Sequence, residues 1–266
     1  MIYSVMRKIM SVFLVLAAAT IILAANAAAM NGCDSNCISC HKLDKHEAAE
    51  IIRELNPGLT VESVQISPSR GLWEIAVKSK AEPKGEKAIW YLDFSKGNII
   101  IGKLIGLKTK ENLTEKRNIE LNKVDYSSIP IKDALLLGEK SAKHKVIIFT
   151  DPDCPYCKRL HDELKKIVAK RTDTAFYILL YPITKLHPEA LKKSKSVMCA
   201  KSLQLLDDAF DKKPLPEPTC NAKSVDDNIK IAEGLGLSGT PALVFPDGVL
   251  IRGAMPAEEI LRLLDK

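Results

Sequence analysis

Cys154-Pro155-Tyr156-Cys157 sets two thiols two residues apart, directly after the apolar run Val146 to Phe149 and at the opening of a stretch with helical periodicity. That spacing lets the two sulfurs meet across one helical turn, which suits reversible disulfide chemistry. The first cysteine falls at the exposed start of the helix, where unpaired backbone N–H groups favour a thiolate. A lower thiol pKa raises the thiolate fraction at neutral pH and makes the sulfur a better leaving group. Cys157 lies one turn deeper, placed to attack a mixed disulfide and release the bound partner. Pro155 suits the first turn, because its missing N–H would have no helical partner there. A structural disulfide or half of a zinc site are the alternatives for this pair. Zinc would need two more ligands, and the nearest candidate, His161, shares a helix committed to packing. Thr240-Pro241 is the second element, following Gly236-Leu237-Ser238-Gly239 and preceding a strand. A cis bond there would bring the Thr240 backbone beside the sulfurs, but the sequence leaves the isomer open.

The other five cysteines divide in two. Cys199 and Cys220 flank the proline-rich stretch Lys212-Lys213-Pro214-Leu215-Pro216-Glu217-Pro218. Such a stretch has few backbone hydrogen bonds of its own, so a cross-link would anchor it, with about 3 kcal/mol of stabilisation on a chain-entropy account. A second redox centre is the alternative. Cys33 precedes Cys37-Ile38-Ser39-Cys40-His41, whose C-x-x-C-H pattern fits covalent c-type haem, with both thiols on the haem and His41 on the iron. A local disulfide with one free thiol, a metal, or lipid attachment at Cys33 are the competing uses. The C-x₃-C-x₂-C spacing also fits radical iron–sulfur enzymes, but their barrel and reducing compartment are missing. The remainder of the chain requires no cofactor and offers no metal site.

Arg7 and Lys8 precede the apolar run Val12 to Ala25, with small residues through Ala29. This is the order of a secretory signal peptide, expected over 1–29, and it implies export to a disulfide-permissive compartment. A retained anchor is the alternative, although the run is short for a bilayer span. Losing that segment would lower the formal net charge from +6 to about +4, a small excess that mainly keeps a chain soluble. The lysines are scattered without interleaved aromatics, which argues against nucleic-acid binding.

The elements that must position the thiols fall into two halves. A helix is expected from Asp44 to Leu55, capped by Asp44, with Ala48, Ile51, Ile52 and Leu55 on one face. Four strands follow, Val61 to Ile66, Leu72 to Val77, Ala88 to Phe94 and Ile99 to Ile105, giving a small α+β unit over 30–108. Residues 109–128 are polar and charged and read as a semi-rigid linker with a short exposed helix beginning at Asn112. Over 129–266 the order is strand, helix Pro155 to Ala169, strand, a helical insert at about 184–222, a hairpin and a closing helix begun by Pro256. This is an α/β arrangement with the redox pair at the start of its first long helix.

Taken together, Phe149-Thr150-Asp151-Pro152-Asp153-Cys154-Pro155-Tyr156-Cys157-Lys158 and Thr240-Pro241 closely resemble the bacterial periplasmic disulfide isomerases of the DsbC/DsbG family. Gly71-Leu72-Trp73-Glu74, Tyr91-Leu92-Asp93, Asn112-Leu113-Thr114 and Ile129-Pro130-Ile131-Lys132-Asp133-Ala134 are similar to landmarks of that family's amino-terminal domain and linker. The resemblance spans about residues 55 to 266. It implies a thioredoxin-like fold for the second half and a V-shaped homodimer joined through the first. It also implies Cys154 as the attacking and Cys157 as the resolving thiol, with Thr240 and a cis Pro241 lining the substrate site. A structural Cys199–Cys220 bond, a periplasmic location and a membrane thiol reductase that keeps Cys154 reduced are implied as well. The active-site proline matches the family's chaperone-like branch, whereas the cysteine pair in the insert resembles the isomerase branch.

The expected function is therefore reshuffling of wrong disulfides in exported proteins. A dedicated reductase or oxidase for a narrow partner set, and a chaperone-like binding protein, are the alternatives. The run Ile99-Ile100-Ile101 is the expected subunit contact, because a side-chain period of two cannot bury three successive isoleucines on one face.

Overall fold

A computed structural model describes residues 41–82 and 84–265. The expected leader at 1–29, together with Cys33, Cys37 and Cys40, lies outside the described residues.

The first half begins with α1 (Lys45–Leu55), whose cap is Asp44: its Oδ1 accepts from the Glu47 backbone N–H at 2.9 Å. Glu47 does not return the contact; it pairs with Lys96 across the sheet edge. Strands β1 (Leu59–Ile66), β2 (Leu72–Ser79), β3 (Lys87–Asp93) and β4 (Ile99–Ile100) form an antiparallel meander in that order. Ala48 and Ile52 of α1 pack on Val61, Trp73, Ile75, Val77 and Leu92. Leu55, expected on that face, is exposed, since the helix ends there and Asn56 turns the chain away.

Two expectations need correction. The fourth strand stops at Ile100 rather than Ile105. Gly102 and Gly106 interrupt the apolar run, and the backbone groups of the following loop pair with one another, Leu113 N–H with the Leu104 carbonyl and Gly106 N–H with the Glu111 carbonyl. The short β4 leaves the outer edge of β3 without a strand at Lys87 and Ile89. Those N–H groups go instead to side chains of α2 (Leu113–Leu121) and its cap: Asn118 Oδ1 accepts from Ile89 at 3.0 Å and Asn122 Oδ1 from Lys87 at 2.8 Å. Residues 109–128 are thus not simply a linker carrying an exposed helix. The polar residues of α2 complete the β3 edge, where buried backbone donors need partners. Thr114 is buried against the Tyr91 hydroxyl at 2.6 Å, and Arg117 reaches the buried Glu74 at 2.8 Å.

The handover between halves is short. Asn122 is tied to Lys87, whereas the Val124 N–H donates to the Gly248 carbonyl at 2.9 Å. Gly248 has φ +83°, and a Cβ there would lie 2.5 Å from the Val124 carbonyl oxygen, so this approach requires glycine.

The second half holds β5 (Leu135–Gly138), β6 (His144–Thr150), α3 (Pro155–Val168), β7 (Thr174–Leu180), α4 (Ala190–Ala200), α5 (Leu203–Phe210), α6 (Lys223–Gly234), β8 (Ala242–Val244), β9 (Leu250–Arg252) and α7 (Ala257–Leu264). The sheet order is β5-β7-β6-β8-β9, with only β6 and β7 parallel. Its central strands are covered on both faces, and the side chains alternate accordingly. Val146 and Ile148 face the helix α3, while Ile147 and Phe149 face α6. The helical insert holds two helices, separated at Lys201, which takes a left-handed φ of 48° before Ser202 caps α5. Pro256 is the cap of α7 rather than its first residue, and the Ala257 N–H donates to Glu163 of α3 at 2.9 Å.

Candidate active site

The β6 strand ends at Thr150, and the chain turns through Asp151 and Asp153 into α3, with Cys154 at the helix cap and Pro155 in the first turn. No side chain caps α3, so its first N–H groups face the Cys154 sulfur. The Cys154 pKa is lowered to about 6. The largest cause is the hydrogen bond from the Cys157 thiol; backbone N–H groups of Cys157 and Tyr156 and the Thr240 side chain add to it, against the opposing effect of burial. As a thiol, Cys154 donates to the Thr240 carbonyl at 3.5 Å. Thr240 precedes a cis peptide bond to Pro241, at the entry to β8. The structure thus brings Thr240 to a sulfur 86 positions away.

Cys157 faces inward among the core side chains of α3 and is 1% exposed. Burial pushes its thiol well above the usual range, and the bond to Cys154 adds to the shift. One expectation fails in detail: Cys154 is itself only 6% exposed, and it is Tyr156 that stands out at 56%, under the Arg159 guanidinium at 4.4 Å. Together, an activated thiolate and a protonated, enclosed partner thiol can exchange a disulfide in two steps.

The sequence reading missed Asp151. It is fully buried, and its N–H donates to Cys157 Sγ at 3.4 Å. Its carboxylate accepts from the N–H groups of Asp153 at 2.8 Å and Ile183 at 2.7 Å, and meets His187 Nδ1 at 3.0 Å. Lys193 pairs with Asp153 beside it. A charged residue at the inner end of a buried strand was the available signal, because such a carboxylate must find several donors.

Cys199 and Cys220 are joined as a disulfide, with Cα atoms 5.5 Å apart, across the foot of the insert. His41 stacks on Phe94 at 4.5 Å between centroids, and Phe94 in turn lies against Trp73. The thiols of the expected haem motif lie outside the described residues. Among the described residues, no group of three or more metal-ligating side chains occurs, and no helix is long and apolar enough to cross a membrane.

Comparison with known proteins divides the chain as its sheets do. A family model for a thioredoxin-like domain matches residues 131–266, and one for the disulfide bond isomerase protein N-terminal domain matches residues 41–115. A probable thiol:disulfide interchange protein DsbC of Bordetella avium is 30% identical over 180 residues, 67% of this chain and 62% of that protein. The thiol:disulfide interchange protein DsbC of Escherichia coli K12 is 30% identical over 136 residues, 51% of this chain and 56% of that protein. The chain therefore matches a little over half the length of these relatives. A crystal structure of a disulfide interchange protein from Neisseria gonorrhoeae is 34% identical, covering 51% of this chain and 97% of that one, with a TM-score of 0.45.

Proposed function

We propose, from the premise that this chain belongs to the thioredoxin-like family and carries a disulfide bond isomerase N-terminal domain, that it is a thiol–disulfide oxidoreductase which reshuffles disulfides in exported proteins. The observation that carries this reading is the unequal pair: Cys154 is lowered to about 6 at the cap of α3, and Cys157 beneath it is enclosed and protonated. The Cys154 thiolate attacks a substrate disulfide, forming a mixed disulfide and expelling one substrate thiolate. The released thiolate then attacks elsewhere in the substrate, or Cys157 resolves the adduct and returns the substrate reduced. Thr240 and Pro241 line the approach to Cys154, and the Cys199–Cys220 bond is structural.

Export to the periplasm, a homodimer through the first sheet, and a membrane thiol reductase as electron donor complete the reading. The exposed apolar residues Ile100, Ile101, Ile105 and Leu107, gathered at the β4 edge and the loop beyond it, support a subunit contact there. The test is recovery of activity by scrambled ribonuclease. The intact protein is expected to restore it, Cys154→Ser to abolish restoration, and Cys157→Ser to accumulate mixed disulfides. Equal trapping by both variants would overturn the assigned roles, and no recovery with intact protein would remove the isomerase reading.

A further inference from the structure

His161 is a buried ionisable side chain of α3 that the exchange steps above leave unused. It stands four residues after Cys157, so the two share one face of the helix. Both line a narrow void, walled by Thr150 of β6 and by Ile148 and Ile178, too small to hold a water molecule. On its other side the same ring lines an open cleft of about 230 Å³ between α3 and α5. There Nε2 meets Asp207 Oδ1 at 2.9 Å, Lys165 Nζ reaches the same oxygen at 2.6 Å, and the Phe210 ring lies 5.3 Å away. His161 therefore borders both the void beside the buried Cys157 thiol and a charged cleft.

We propose that His161, oriented by Asp207, carries the Cys157 proton from the enclosed void to the cleft during the resolving step. This deepens the exchange function proposed above and rests on it. Resolution requires the Cys157 S–H bond to break as its sulfur attacks Cys154. The Cys157–Cys154 bond forms, and the electron pair of the Cys154–substrate bond leaves on the substrate sulfur. The cysteine pair is oxidised and the substrate is reduced, so only the proton needs a destination, and no water reaches the void to take it. Asp207 favours the tautomer with hydrogen on Nε2, which leaves the lone pair on Nδ1 as the acceptor.

The groups facing the ring are consistent with that role. Asp207 comes from α5, Lys165 and Asp162 from its own helix, Lys158 and Asp211 from the cleft margin, and the Cys157 thiol from within. Burial holds His161 below the usual histidine range, with Lys165 adding to the shift and Asp207 opposing it. The ring is consequently neutral near pH 7 and free to accept. A purely structural role, tying α3 to α5, would use the same bond to Asp207 but would give no pH signature.

The experiment mixes reduced full-length protein with oxidised glutathione, quenches it with acid and follows the glutathionyl adduct by mass spectrometry. Adduct formation reports attack by Cys154, and adduct decay reports resolution by Cys157. His161→Gln keeps an amide that can donate to Asp207 but cannot take the proton. We expect its adduct to decay at least about ten-fold more slowly at pH 7, below the usual span for general acid–base catalysis. The difference should narrow at acid pH, where the wild-type ring is itself protonated and cannot accept, and persist at pH 7 and above. Asp207→Asn should shift the pH midpoint of decay downward, since Asp207 raises the proton affinity of the ring. Wild-type decay rates in both variants across the pH range overturn the relay, as does equal, pH-independent slowing of formation and decay. An intact protein that forms no adduct at all overturns the exchange function, and the relay with it.

Discussion

At the scale of residues, the proposed exchange rests on the difference between two thiols of one helical turn. Cys154 titrates near 6 because the Cys157 thiol and two backbone N–H groups stabilise its anion more than burial disfavours it. Alkylation of the reduced protein by iodoacetamide should therefore rise with a midpoint near pH 6 and label Cys154 before Cys157. A midpoint near the ordinary thiol value of about 8.5 would refute the activated assignment. The sign of the linked stability follows. The folded pKa lies below the unfolded one, so this contribution is fully present above about pH 8.5. It is lost as pH falls through about 6. The reduction potential should show the same event. Below pH 6 two protons accompany two electrons, giving a slope of about −59 mV per pH unit, whereas above it one proton gives about −30 mV. A single slope from pH 5 to 8 would show that Cys154 does not titrate in that range.

At the scale of elements, the α2 helix is the part most easily misjudged, since nothing in its composition marks it as a partner of a sheet. Its asparagines replace the hydrogen bonds that a longer β4 would have made to β3. Replacing Asn118 and Asn122 together with alanine leaves the Lys87 and Ile89 N–H groups without partners. The expected loss is roughly 1–3 kcal/mol for each such group that stays buried, read as a lower urea midpoint with an unchanged slope. Stability within 0.5 kcal/mol of the parent, a threshold of about the size typical of surface substitutions, would show that water serves equally well at this edge. The helical insert illustrates the converse. Its disulfide ties the insert to itself, and the buried side chains Leu206 and Phe210 pack it on α3, which is how Asp207 comes to face His161.

At the scale of the whole molecule, four of the exposed large apolar side chains among the described residues, Ile100, Ile101, Ile105 and Leu107, lie together near the end of the first sheet. Ile101 is 62% and Leu107 83% exposed, and they continue the open edge of β4. A homodimer through this edge would bury them and set two Cys154 sites in one assembly, raising the effective concentration of a held substrate. Light scattering of the full protein should give twice the chain mass at micromolar concentration. Ile101→Glu with Leu107→Glu should halve it, keeping Cys154 alkylation but losing most recovery of scrambled ribonuclease. A parent protein of single-chain mass would remove the dimer and favour a dedicated reductase.

Local patterns carried the identification of Cys154 and Cys157, the order of elements and the division into two halves, because each is set within a few residues. Two cysteines after a buried strand and before an amphipathic helix limit the chemistry before any contact is known. Asp151 with His187, His161 with Asp207 and Cys154 with Thr240 are separated by 36, 46 and 86 positions, and only folding brings them together. The isomer of Thr240-Pro241, the early end of β4 and the burial of Cys154 were likewise decided by surroundings. The strand β4 ends where the following loop pairs with itself, and Cys154 is buried with its sulfur beside the distant Thr240. Periodicity reads the faces of one element, whereas the partner of a polar side chain depends on which distant segments the core draws beside it.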